Sequence, residues 1–159
     1  MHEVAHQLSF NGGLLERDGD VPVWLAEGLA CYCESTTNSA WQGVGEPNPM
    51  RVGTLAAQVR NKGQLFSLKS LIQSDDWLRH STTAGQVALG YAQSWALFRL
   101  LMEEKPTELR RYLDLIRTRR TPDGRLDDFV TAFGGFAKLD ARYREYIHEI
   151  VEQEAPRRK

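Results

Sequence analysis

A chain of 159 residues, 42% hydrophobic and 26% charged, has the make-up of an ordinary globular domain and is long enough to bury a core. Its formal net charge of -1 argues against non-specific binding to nucleic acid or anionic membranes. No apolar run reaches the length of a membrane span, because the longest cluster, Trp95 to Met102, is broken by Arg99; no signal-peptide pattern is visible, and the compartment stays open, a secreted or cell-envelope location included.

Met1 to about Phe10 reads as a helix ended by Asn11-Gly12-Gly13, a glycine stop. After a polar connection from Glu16 to Asp20, Pro22 suits the first turn of a second helix running to about Ser35, with apolar Trp24, Leu25, Leu29 and Tyr32. Cys31 and Cys33 point to different faces of that helix and are poor disulfide partners. Residues 36 to 50, dense in Thr, Asn, Ser, Gly and Pro, read as loop, and Arg51 to Lys62 as a short helix. Leu65 to Ile72 is ambiguous between strand and helix, and Asp75 to His80 suits one helical turn. Gly85 to Glu104 is a strong helix with Tyr91, Trp95, Phe98 and Met102 at helical spacing. Further helices are expected from Pro106 to about Thr118, from Leu126 to Phe133 (closed by Gly134-Gly135) and from Lys138 to Glu154, with a turn at Pro122-Asp123-Gly124. Almost nothing alternates, so the fold class is mainly α. It is one helical domain over 1–159, with the chemistry in 1–104 and a helical tail in 105–159.

That chemistry starts at once. Met1-His2-Glu3-Val4-Ala5-His6 contains His-Glu-x-x-His, which on a helix sets two imidazoles one turn apart on one face. His2 and His6 can ligate zinc while Glu3 stays free as a general base. A catalytic zinc takes a third protein ligand. Glu27, flanked by apolar residues in Trp24-Leu25-Ala26-Glu27-Gly28-Leu29-Ala30, supplies it, since a buried carboxylate is costly unless paired or metal-bound. The expected cofactor is one Zn2+ per chain. Glu3 would take the proton of the attacking water and pass it to the leaving amine.

The pairing resembles the gluzincin clan of zinc metallopeptidases, in which a helix about twenty residues after the motif carries the glutamate ligand. The segment Trp24 to Ala30 is similar to the Trp-Leu-x-Glu-Gly-x-Ala pattern of aminopeptidase N-like enzymes, and to that of a bacterial peptidase-like domain family of unknown function. Ala26 stands where the aminopeptidases have asparagine. Gly90-Tyr91-Ala92-Gln93-Ser94 resembles their Tyr-x-x-Gly helix start, with Ser94 in place of glycine. The resemblance implies that Tyr91 donates its hydroxyl to the oxyanion of the tetrahedral intermediate. It implies a peptide or protein substrate and a substrate-binding β-sheet ahead of the motif helix. With nothing before Met1, the chain is expected to be a fragment or truncated form of such an enzyme. The alternative is a non-catalytic helical binding or structural module derived from one.

Other residues have plainer readings. Glu34, two turns after Glu27, is taken as a solvated helix-end acid, with orientation of a ligand histidine as the alternative. Cys31 is taken as a small buried residue rather than a member of the site. His80 and His148 lack metal-like spacing. The arginines 110, 111, 117, 119, 120 and 125 are interleaved with acids and read as a solvated surface, not a nucleic-acid site. Pro156 to Lys159 reads as a frayed basic tail.

Overall fold

Local side-chain chemistry fixes several helix starts in the computed structural model, which describes residues 1–34, 36–37, 40–80 and 83–154. Asn48 caps α3 (Pro49–Arg60), its side chain accepting from the Arg51 N–H, and Pro49 fills the first helical position. Ser67 and Thr83 cap α4 (Leu68–Gln73) and α6 (Ala84–Glu104) in the same way. The Ser67 cap settles the ambiguous stretch at 65–72: residues 68–72 are helix, and 65–67 lead into it without regular structure. The other helices are α1 (His2–Asn11), α2 (Val23–Cys33), α5 (Asp76–Arg79), α7 (Pro106–Ile116), α8 (Arg125–Phe133) and α9 (Phe136–Glu154). Among the described residues the only strands are β1 (Thr36–Thr37) and β2 (Ala40–Trp41), an antiparallel ribbon within the segment expected to be loop. The fold is mainly α.

Helix α6 is the axis of the molecule. It is buried nearly all round, with Leu89, Trp95, Leu97 and Leu100 in the core, and it packs against α2, α3, α5, α7 and α9. Two glycines let neighbours approach it closely. A Cβ at Gly28 of α2 would stand 2.6 Å from the Ser94 carbonyl oxygen, and one at Gly90 would stand 2.0 Å from the Trp77 ring. Both sit beside predicted site residues, Glu27 and Tyr91, so close packing and site geometry are set by the same contacts.

The start of α2 is anchored from afar. Arg125 bonds Asp20 and Asp75, and Asp75 also accepts the Val23 N–H at 3.1 Å. Arg125 is 4% exposed, which corrects its reading as a solvated surface residue. A buried guanidinium needs anionic partners, and two loops distant in sequence deliver them. Arg119 is likewise paired with Asp128. The end of α2 is closed by the 40–48 segment: Gly45 N–H donates to the Tyr32 carbonyl and Trp41 Nε1 to the Cys33 carbonyl. No helix among the described residues is long and apolar enough to cross a membrane. The basic tail at 156–159 lies outside the described residues.

Candidate metal centre

Helices α1 and α2 pack together at the edge of the bundle. His2 and His6 lie four residues apart on the face of α1 turned to α2, their rings edge-on with centroids 4.8 Å apart. Glu27 of α2 faces both. Its Oε2 lies 3.1 Å from His2 Nε2 and 3.4 Å from His6 Nε2, and the two Nε2 atoms are 3.2 Å apart. A tetrahedral zinc with bonds of about 2.0–2.1 Å holds its donors about 3.3–3.4 Å apart. The observed triangle matches that template to within about 0.2 Å on every edge. The histidine side chains remain 22% and 21% exposed, so a fourth position would open to solvent.

Three lone-pair donors converging on one point repel each other unless positive charge sits among them. Hydrogen bonding to Cys31, then to Glu27 and Glu34, pushes the His2 imidazole up to about 12. His2 Nδ1 meets Glu34 Oε2 at 2.7 Å. Nδ1–H is held by Glu34, so a metal entering the triangle would displace only the Nε2 proton of that ring.

Glu34 is therefore not the solvated helix-end acid expected from sequence. Its other oxygen, Oε1, accepts from Arg51 Nη2 at 2.6 Å, Arg51 Nε at 3.1 Å and Asn48 Nδ2 at 3.1 Å. Burial alone would raise its carboxyl, but the His2 bond and the Arg51 charge outweigh burial and hold it at about 2. The reason is local. The segment after the β-ribbon folds back over the end of α2 and lays the α3 start against it.

Cys31 is buried, as expected, and also belongs to the neighbourhood. Its sulfur, a His2 nitrogen and a Glu34 oxygen lie within 4.8 Å of one another, a second grouping of metal-binding atoms. The Arg51 guanidinium already supplies the cation on that side, so a second metal there would be repelled. The arrangement favours one metal position, bounded by His2, His6 and Glu27.

Tyr91 comes to the same place from α6. Its ring centroid lies 6.1 Å from that of His2 and 5.5 Å from Trp77, and the Arg51 guanidinium carbon stands 5.1 Å from it. Burial, then the Glu27 charge, pushes the phenol up, so it is a proton-bearing donor at neutral pH. Its hydroxyl has no hydrogen-bond partner among the described residues. Glu3 is the one predicted site residue that the structure leaves outside the cluster. It stands exposed on α1 next to His2, its carboxylate unengaged among the described residues.

Sequence reasoning missed Arg51 and Asn48. Asn48-Pro49 carries a visible helix-start signal, but nothing in the spacing points from Arg51 to Glu34, 17 residues away. His80 is exposed and pairs with Asp76, and His148 is exposed, both consistent with surface roles.

The chain belongs to the family described as "Protein of unknown function (DUF1570)", whose model matches residues 1–123. The match spans α1 to α7 and so contains every residue of the cluster. No curated protein and no solved structure matches the chain.

Proposed function

We propose that this protein carries a zinc-dependent, gluzincin-type peptide hydrolase site. The observation that carries the reading is the donor triangle of His2 Nε2, His6 Nε2 and Glu27 Oε2, with edges of 3.1, 3.2 and 3.4 Å. Those residues would hold the metal. Bound there, zinc supplies a Lewis acid for a carbonyl and an acidified water.

The chain's own residues divide the remaining work. Glu3, with its carboxylate open to solvent, takes a proton from the water whose oxygen attacks the peptide carbonyl. It returns that proton to the amine nitrogen as the C–N bond breaks. Tyr91 donates a hydrogen bond from its hydroxyl to the carbonyl oxygen as negative charge builds on it. Glu34 holds the His2 ring in place, and Gly28 keeps α2 close enough to α6 for Glu27 and Tyr91 to share one site. The substrate is a peptide or a protein.

The test uses zinc content and cleavage of a quenched-fluorescence peptide library. Near one zinc per chain is expected, lost in Glu27→Ala. Glu3→Gln should keep zinc and lose cleavage. Zinc retained by Glu27→Ala, or turnover retained by Glu3→Gln, would refute the assignment. Zinc without cleavage in the unaltered protein would favour the non-catalytic binding module.

A further inference from the structure

We propose that Arg51 is a positioning residue that locks the His2 ligand and the Tyr91 donor into one fixed arrangement. The inference rests on the zinc-hydrolase reading for the role given to Tyr91.

The geometry has three parts. First, Nε and Nη2 of Arg51 both reach Glu34 Oε1, at 3.1 and 2.6 Å, while Glu34 Oε2 meets His2 Nδ1 at 2.7 Å. One carboxylate thus joins the guanidinium to the metal-facing imidazole. Second, the guanidinium carbon stands 5.1 Å from the Tyr91 ring centroid, within cation–π range. Third, Arg51 is itself fixed. Its backbone N–H donates to the Asn48 side chain that caps α3, and Asn48 Nδ2 donates to the same Glu34 oxygen at 3.1 Å. The Arg51 side chain is 12% exposed, so these interactions act largely out of water, where they are stronger. One cation therefore joins three helices, α2 through Glu34, α3 through its own backbone and α6 through Tyr91.

The residue type matters. A planar guanidinium can fork onto a carboxylate with its edge while its face covers an aromatic ring. An ammonium is a point charge and does one or the other. Losing Arg51 frees Glu34 to turn away from His2 and frees the Tyr91 ring to move, although Arg51 touches neither a ligand atom nor, on this reading, the reacting carbonyl.

Cobalt(II) is the probe, because its visible absorption bands report ligand geometry without any need for turnover. Wild type is expected to bind one cobalt, and Glu27→Ala none. Arg51→Met, Arg51→Lys and Glu34→Gln should each weaken cobalt binding by about 10- to 100-fold and change the band shape. Arg51→Met combined with Glu34→Gln should be little worse than either alone, since both break one chain of contacts. In wild type the Arg51 Nε–H proton resonance should be displaced by the Tyr91 ring current, and Tyr91→Leu should abolish the displacement. Measurements well below every variant's Tm separate positioning from loss of fold. Arg51→Lys and Glu34→Gln carry the test if Arg51→Met fails to fold.

Cobalt bound normally by the Arg51 variants while Glu27→Ala binds none would overturn this inference and leave the metal site standing. Losses that simply multiply in the double variant would overturn it as well. Absence of cobalt binding by wild type would overturn the zinc reading, and this inference with it.

Discussion

Gly28→Ala is the most direct test of how packing sets the site. The added methyl would stand 2.6 Å from the Ser94 carbonyl oxygen, 3.1 Å from its carbon and 3.0 Å from Phe98 Cβ. Ordinary contact begins at 3.4 Å, so relief requires α2 and α6 to part by about 0.8 Å, the difference between 3.4 and 2.6 Å. The obstacle is backbone and has no rotamer into which to retreat. Overpacking of this kind costs about 1–3 kcal/mol, here at the upper end. Alanine's better helix propensity returns about 1 kcal/mol. The net loss is about 2 kcal/mol, or about 4–8 °C in Tm for a chain of this size. Gly53 is the control, an exposed glycine inside α3 with nothing within 4 Å of an added Cβ. Gly53→Ala should gain about 1 kcal/mol, raising Tm by about 2–4 °C. Thermal unfolding followed by circular dichroism reads both. The same movement shifts Glu27, the neighbouring residue, so Gly28→Ala should also weaken cobalt binding while Gly53→Ala leaves it unchanged. A Gly28→Ala protein as stable as Gly53→Ala would refute the close-packing argument.

Two further outcomes follow from the buried charges. Arg125→Met leaves Asp20 and Asp75 facing each other without their cation, and the lost partner should cost about 3–5 kcal/mol in urea unfolding. A loss below about 1 kcal/mol would mean that the triad is solvated. Glu34 is held at about 2 against an ordinary 4.5. A depressed carboxyl contributes stability that is fully present above its unfolded value and is lost as pH falls through its folded value. Wild type should therefore lose more stability than Glu34→Gln between about pH 5 and pH 2. Parallel urea midpoints for the two proteins across that window would contradict the ion-pair account.

What the sequence made legible was whatever lies within a few residues of itself. Helix α6 shows in its apolar spacing, α7 in Pro106, and the end of α8 in Gly134-Gly135. Glu27 was legible because an acid inside an apolar helix needs an explanation. Relations across long separations left no such trace. Nothing marks Arg51 as the partner of Glu34, nor Asp20 and Asp75 as partners of Arg125, because each pairing depends on how helices stack and not on local pattern. Glu34 misled for the same reason. A helix-end acid is usually wet, and only the return of the 40–48 segment dries it. Trp77 is the partner that makes Gly90 necessary, yet the two are 13 positions apart and belong to different helices.

The place of His2 in the first turn of α1 joins folding to the site. No side chain caps the first turn of α1, so its N–H groups gain no side-chain partner there. Its outward residues Met1, Val4 and Leu8 are exposed at 53%, 44% and 69%, so they add little to hold it. The inner face is slight too, with only Ala5 and Ser9 buried. Both nitrogens of the His2 ring, however, contact carboxylates, those of Glu27 in α2 and of Glu34 at its C-terminal cap. Docking α1 on α2 and assembling the donor triangle are therefore the same event. A metal held by one helix through His2 and His6, and by the other through Glu27, would tie the first turn of α1 to α2. Saturating zinc at about 100 times its Kd stabilises the bound form by about 2.7 kcal/mol. If α1 opens locally without the rest of the bundle, its amides from Ala5 to Asn11 should exchange about 100-fold more slowly with zinc than with chelator, while those of α8 and α9 barely change. Slowing spread evenly over all helices would mean that α1 opens only with the whole fold. No slowing in a protein that demonstrably binds zinc would mean that the metal is held elsewhere.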